Sequence, residues 1–119
     1  MRTRKLGSQG LEVPALGLGC MGMTIQYGEL DDVESIATIH HSLDLGGSLL
    51  NTSDAYANGK NEILIGEAIK SRRDDVILNS KFGQVSNPDG TGSVNGRPEY
   101  VKEACEASLT RLGTDYIDI

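Results

Sequence analysis

Short apolar runs alternate with longer amphipathic stretches along this chain, and that alternation restricts the folds open to it. Leu16–Cys20, Ser48–Asn51, Val76–Leu78 and Tyr116–Ile119 have the length and composition of strands. Between them, apolar residues recur every three to four positions, the period of a helix. The resulting order, β-α-β-α-β-α-β, argues a parallel sheet with helical crossovers. Val76-Ile77-Leu78 is continuously apolar, as strands buried on both faces are. Ahead of the first run, Lys5-Leu6, Gly7-Ser8-Gln9-Gly10 and Leu11-Glu12-Val13 read as a hairpin with a Gly-rich turn. No linker or low-complexity segment divides the chain, so residues 1–119 are read as one unit.

The helix boundaries carry their own signals. Asp31, with Glu34 three residues on, is an N-cap, and Gly46-Gly47 ends that helix. Val33, Ile36, Ala37, His40 and Leu43 are its expected inner face. Asn61 is the expected cap of a second helix, with Leu64, Ile65, Ala68 and Ile69 inward. Arg72 and Arg73 fall in its last turn, where cations suit the helix dipole. Gly66 inside this helix costs about 1 kcal/mol against Ala, so a close packing contact is expected there. Gln84–Arg97 reads as a long polar loop. Pro98 then opens a third helix, Val101, Ala104, Cys105, Leu109 and Leu112 line it, and Gly113 stops it.

Charge and cysteine usage exclude several functions. Eleven Lys and Arg against 17 Asp and Glu give a net charge of −6. An acidic chain with scattered cations is poorly suited to sequence-independent nucleic-acid binding. No apolar run approaches the roughly 18 residues of a membrane helix. The basic start, Met1-Arg2-Thr3-Arg4-Lys5, lacks a following apolar region, so no secretory leader is expected. Cys20 and Cys105 are far apart in sequence and give neither a disulfide framework nor a zinc spacing. Both are expected to be small buried apolar residues in a reduced, cytoplasmic protein. His40 and His41 are adjacent and lack the i, i+4 spacing of a zinc pair.

Gly17-Leu18-Gly19-Cys20-Met21-Gly22 matches G-x-G-x-x-G. A dinucleotide-binding turn must run from its strand directly into a helix. Here Met23–Leu30 intervene, and the acid expected some 20 residues on would be Asp44, which sits on a helix. A doubly wound nucleotide-binding domain is therefore rejected. The polar residues at the C-terminal strand ends are more informative, because parallel β/α folds gather their sites there. Asn51 ends the second strand, Asp54 and Tyr56 follow it, and the third strand runs into Lys81. An ammonium near a phenol stabilises the phenolate and makes tyrosine a better-matched general acid. Against this stand the plainer readings: Tyr56 as a loop aromatic and Lys81 as a solvated strand end.

At these residues the sequence resembles a known family. Lys5-Leu6-Gly7, Leu11-Glu12-Val13-Pro14 and Leu16–Met23 resemble the opening of bacterial and plant-type aldo-keto reductases. Asn51-Thr52-Ser53-Asp54-Ala55-Tyr56 resembles that family's D-T-A-x-x-Y signature. Asn61-Glu62, Gly66, Ser80-Lys81-Phe82-Gly83, Arg97–Val101 and Glu106–Asp118 match as well. The resemblance implies the N-terminal half of a (β/α)8 TIM barrel preceded by a β-hairpin. It implies reversible hydride transfer from NADPH to an aldehyde or ketone. Tyr56 would donate the proton, with Lys81 tuning its acidity. Gly19, Cys20, Met21 and Asn51 would hold the nicotinamide end of NADP, and the partner would be a small-molecule carbonyl compound.

The sequence departs from the family pattern in two respects. The family aspartate five residues before the tyrosine is Asn51 here, and Asp54 lies at a different spacing. The chain also stops inside an apolar run, before the family's catalytic histidine and cofactor-phosphate residues. A barrel of this kind takes about 250 residues. A true edge strand at a C-terminus and a longer protein cut short both account for the ending. The expectation is an inactive isolated chain that self-associates or awaits a C-terminal half. The alternative is a non-catalytic remnant or assembly module.

Overall fold

The computed structural model describes all of residues 1–119. The N-terminal hairpin forms as the sequence predicts: β1 (Thr3–Leu6) pairs antiparallel with β2 (Leu11–Pro14). Gly7 and Gly10 close it at φ +66° and +89°, a region in which a Cβ is costly.

Three strands then build a parallel sheet in chain order: β3 (Leu18–Gly19), β4 (Leu49–Asn51) and β5 (Ile77–Asn79). Helices α1 (Asp32–Asp44) and α2 (Lys60–Ile69) cross between them, and α3 (Pro98–Leu112) follows β5. Each new strand is added on the same side of the last. The reversal of strand order that defines a doubly wound sheet is absent, and the architecture is that of a partial (β/α) barrel. The core joins Cys20, Leu50 and Leu78 from the sheet to Ile39 and Leu43 of α1, Ile65 and Ile69 of α2 and Leu112 of α3. No helix is long and apolar enough to cross a membrane.

The helix caps follow the sequence signals in part. The Glu34 N–H donates to the Asp31 carboxylate at 3.0 Å, as expected. However, α1 buries Ser35, Ile39 and Leu43, of which only Leu43 belongs to the predicted face. Val33 is 79% exposed, Ala37 is also exposed, and Ile36 and His40 are half-buried. The buried row runs i, i+4, i+8 through Ile39, and His40 beside it hydrogen-bonds the Ala68 carbonyl of α2 at 2.8 Å. In α3 the buried row is Ala104, Ser108 and Leu112, which leaves Cys105 exposed instead of buried. The first strand is shorter than predicted, with Leu16 70% exposed ahead of it.

Asn61 is not a cap. The N-cap of α2 is Gly59 at φ +83°, and Asn61 is wholly buried in the first turn. Arg72 and Arg73 lie beyond the end of α2, where Arg72 pairs with Asp44 and Asp75. The segment 84–97 is more ordered than a polar loop: β6 (Gln84–Ser86) and β7 (Gly92–Val94) form a second antiparallel hairpin. Asn87 and Asp89 close its turn through hydrogen bonds with Thr91.

Residues 116–119, predicted as a fourth strand, lie beside β5 without forming a regular strand. The Asp118 and Ile119 N–H groups both donate to the Leu78 carbonyl, and the Ser80 N–H donates to Ile119. The Leu78 N–H instead reaches the Asp118 carboxylate at 2.8 Å. A side chain thus takes a place that a backbone carbonyl occupies in a regular ladder. Arg73 fixes this arrangement by bonding Asp118 and the Tyr116 carbonyl at 2.9 Å each and stacking 3.7 Å over the Tyr116 ring.

The packing contact expected at Gly66 is present. A Cβ there would stand 2.5 Å from the Leu112 carbonyl oxygen and 2.8 Å from its carbon, both backbone atoms at the end of α3. Gly66→Ala gains about 1 kcal/mol of helix propensity. The clash with unyielding backbone costs about 1–3 kcal/mol and dominates. The expected outcome is a lower Tm for Gly66→Ala in thermal denaturation followed by circular dichroism.

Candidate active site

The C-terminal ends of the three parallel strands form one rim. Gly19 is in register with Asn51, and Asn51 with Asn79. The Cys20 N–H continues the ladder to the Asn51 carbonyl, and the Thr52 N–H to the Asn79 carbonyl, at 2.9 Å each. Beyond the strands, the Lys81 carbonyl accepts from the Asp54 N–H at 3.0 Å and the Ser53 hydroxyl at 3.2 Å. The loop carrying Tyr56 is therefore tied to the backbone that carries Lys81.

This places the predicted residues together. The Lys81 ammonium donates to Asn51 Oδ1 at 2.8 Å and to the Thr52 carbonyl at 2.5 Å. Its Nζ lies 4.7 Å from the centroid of the Tyr56 ring. Asn51 in turn donates from Nδ2 to Asn79 Oδ1. Tyr56 opens a short helical turn, Tyr56–Gly59, in which Ala57 and Asn58 adopt φ of 50° and 52°. Non-glycine residues in this conformation cost about 1–2 kcal/mol each and gather at functional loops.

The Asp54 carboxylate is not bonded to the Lys81 ammonium, consistent with its spacing. That carboxyl is pushed upward from the usual range, first by burial and then by the neighbouring Glu62 charge. Of the three residues expected at the nicotinamide end, Gly19 is exposed and Met21 half-buried. Cys20 is wholly buried, and its thiol points into the core, 3.6 Å from the Leu18 carbonyl. Burial pushes that thiol up to about 12. Cys20 can face the rim only through its backbone.

The sequence reading missed the residues that hold the rim together. Asn61 donates to the Cys20 carbonyl and the Thr24 hydroxyl at 2.8 Å each and accepts from the Thr52 hydroxyl at 2.6 Å. Glu62, also wholly buried, accepts from the Ser80 hydroxyl at 2.6 Å and from Arg111 Nε at 2.6 Å. A Cβ on Gly59 would stand 2.5 Å from the Arg111 side chain, so this glycine makes the room that Arg111 occupies. Their signal was present: two adjacent polar residues at the head of an otherwise inward-facing apolar helix. An open cleft of about 240 Å³ beside Lys81 is lined by Phe82, Val101, Cys105, Ile117 and Ile119.

Comparison with known proteins gives a consistent answer. Residues 15–119 match the Aldo/keto reductase family. The chain is 42% identical over 120 residues to the aldo-keto reductase yakc [NADP(+)] of Schizosaccharomyces pombe, covering 98% of this chain and 35% of that protein. Superposed on the holo form of an aldo-keto reductase from Bacillus halodurans, it gives a TM-score of 0.82 at 39% identity, covering 98% of this chain and 38% of that one. An aldo-keto reductase from Klebsiella pneumoniae, solved with NADP and acetate, gives 0.69 at 31% identity, covering 92% and 35%. The chain thus spans little more than a third of the length of these relatives.

Two predictions follow from the burial of this rim. Removing Glu62 leaves the half-buried Arg111 and the Ser80 hydroxyl without their acceptor, at about 1–3 kcal/mol. Glu62→Ala should therefore lower stability by about that much, measured by urea denaturation. The second concerns Cys20. The fold keeps a proton that the unfolded chain releases above its ordinary value of 9.0, so this residue's contribution to stability declines as pH rises from there towards about 12. Near neutral pH, a thiol reagent should label Cys105 promptly and Cys20 only on unfolding, as counted by mass spectrometry.

Proposed function

The chain belongs to the aldo/keto reductase family, and we propose that Asn51, Tyr56 and Lys81 form the proton-donating end of an NADPH-dependent carbonyl reductase. The observation that carries this reading is the Lys81 ammonium, fixed on Asn51 and Thr52 and held 4.7 Å from the Tyr56 ring centroid. Tyr56 gives its hydroxyl proton to the oxygen of an aldehyde or ketone as that oxygen gains negative charge. The ammonium stabilises the phenolate left behind, which solvent then reprotonates. Asn51 orients Lys81 without neutralising it.

The rim suits a flat, neutral ring. The space where Gly19 would carry a Cβ has no atom within 4 Å. The exposed Gly19 backbone, the Cys20 backbone, Met21 and Asn51 would hold the nicotinamide end. When bound, that group supplies the hydride to the carbonyl carbon. The relative from Schizosaccharomyces pombe is an NADP(+) aldo-keto reductase and the Klebsiella pneumoniae structure holds NADP, which supports the same cofactor here. Two free cysteines fit a reducing compartment, and we assign the cytoplasm.

A second reading treats residues 1–119 as one incomplete barrel unit that works with further polypeptide or has lost catalysis. The asparagine at position 51 favours it. NADPH oxidation with a reactive aldehyde separates the two. These 119 residues alone are expected to show no turnover above buffer, because positioning both reactants is a large part of the rate. The same residues within a completed barrel are expected to reduce the aldehyde. There, Tyr56→Phe should lower kcat by about 10²–10⁴, and Asn51→Asp should raise it through a charged partner for Lys81. A harmless Tyr56→Phe in an active barrel would remove this site from the reaction.

A further inference from the structure

Lysine offers donors only, so the Asn51 atom facing Lys81 must be its carbonyl oxygen. An asparagine has no intrinsic reason to keep that orientation. Rotated by half a turn, it would present an NH2 group to an ammonium. The structure supplies the reason one strand away. Asn79 is in register with Asn51 and turns its Oδ1 towards Asn51 Nδ2. Asn79 Nδ2 has no partner within the chain, so nothing else in this network requires Asn79 to be an amide. No acidic side chain pairs with Lys81: the four ion pairs of the chain involve Arg72, Arg73 and Arg111.

We propose that Asn79 is a positioning residue, locking the Asn51 amide with its oxygen towards Lys81. Two neutral amides then do for the orientation of this lysine what one carboxylate does by charge. A carboxylate offers an acceptor whichever way it turns, and an amide does so in only one of two orientations. The second amide is the cost of the first. The proposal rests on the reductase reading only in calling Lys81 part of the reacting site; the hydrogen-bond relay stands on the geometry.

The test uses the whole 119-residue chain and needs no cofactor. Lys81 is labelled with a limiting amine-acylating reagent and its rate is read by peptide mass spectrometry, with Lys60 and Lys102 as internal references. A lysine Nζ held between two acceptors is not free to approach the reagent, so the acceptors that hold it slow the reaction. Asn79→Leu is expected to speed labelling of Lys81 about fivefold, the population change that loss of one neutral hydrogen bond produces. Asn79→Asp keeps the acceptor and is expected to leave the rate at or below that of the parent. In an Asn51→Ala background, Asn79→Leu should have no further effect.

Unchanged labelling in Asn79→Leu overturns the proposal. So does an equal acceleration in the Asn51→Ala background, which would mean that Asn79 acts without Asn51. If Asn79→Leu accelerates the reference lysines too, the fold has loosened, and Asn79→Ser, smaller and polar, replaces it under the same criteria. Loss of carbonyl reduction by a completed barrel with the labelling pattern intact would instead count against the reductase reading alone.

Discussion

The rim depends on two adjacent buried side chains, Asn61 and Glu62, at the head of α2. Each reaches across to a strand end that its own backbone never touches. Asn61 holds the end of β3 through the Cys20 carbonyl and the turn after β4 through Thr52. Glu62 holds the turn after β5 through Ser80, and α3 through Arg111. Backbone pairing fixes strands only along their ladders, and here β3 contributes two residues and the others three each. So short a sheet has few ladder bonds with which to set the relative height of its ends. Side chains with several acceptors or donors supply the missing constraint, and burial makes them strict, because an unmatched polar group there is expensive. No buried side-chain nitrogen or oxygen is left without a partner.

The residues of the proposed proton-donating site sit on top of this clamp. Lys81 is the residue after Ser80, whose hydroxyl Glu62 holds, and its ammonium bonds the carbonyl of Thr52, whose hydroxyl bonds Asn61. The carbonyl of Lys81 also receives the loop that leads to Tyr56. Lys81 and Tyr56 are thus placed relative to one another in part by Asn61 and Glu62, which bond neither side chain. Gly59 links the two functions, since its missing side chain admits Arg111 to Glu62 only three residues after Tyr56. The left-handed pair Ala57 and Asn58 between them is the strain needed to bring the chain from the tyrosine to the buried helix start.

Periodicity and punctuation made most of the fold legible. Asp31 and Glu34, Pro98, Gly113 and the Gly66 contact all declare themselves through local chemistry that needs no tertiary information. The failures are those where a polar residue has a tertiary job. Asn61 reads as a cap because asparagine before an apolar helix usually is one, and nothing local distinguishes a cap from a buried cross-link. Arg73 reads as a dipole partner, yet its guanidinium serves a carboxylate 45 residues away in sequence. The inner face of α1 is misread because Ser35 replaces an apolar residue in the buried row while Val33 lies on the surface. Of the site, Asn51, Tyr56 and Lys81 were visible through their position at strand ends, and the family resemblance sharpened them. Asn79 was not, because an asparagine ending a strand is unremarkable until its register partner is known.

The asparagine at position 51 changes the charge of the rim more than its shape. An opposite charge about 4 Å from Lys81 would contribute about 4 kcal/mol at the effective dielectric of a protein surface. An amide dipole at hydrogen-bond distance supplies geometry and only part of that attraction. The cation therefore keeps its field, and the Tyr56 ring centroid lies 4.7 Å from it. On the proposed reading, an aspartate here would hold the ammonium more firmly and also draw down part of its field at the phenolic oxygen, so the gain expected of Asn51→Asp requires the firmer hold to outweigh that loss. The same unspent charge makes Lys81 more dependent on fixed neutral acceptors, because no carboxylate draws it back when it strays. Orientation and electrostatics, which a single aspartate would provide together, are here separated: Asn51 and Thr52 hold the lysine in place, and the lysine alone carries the charge.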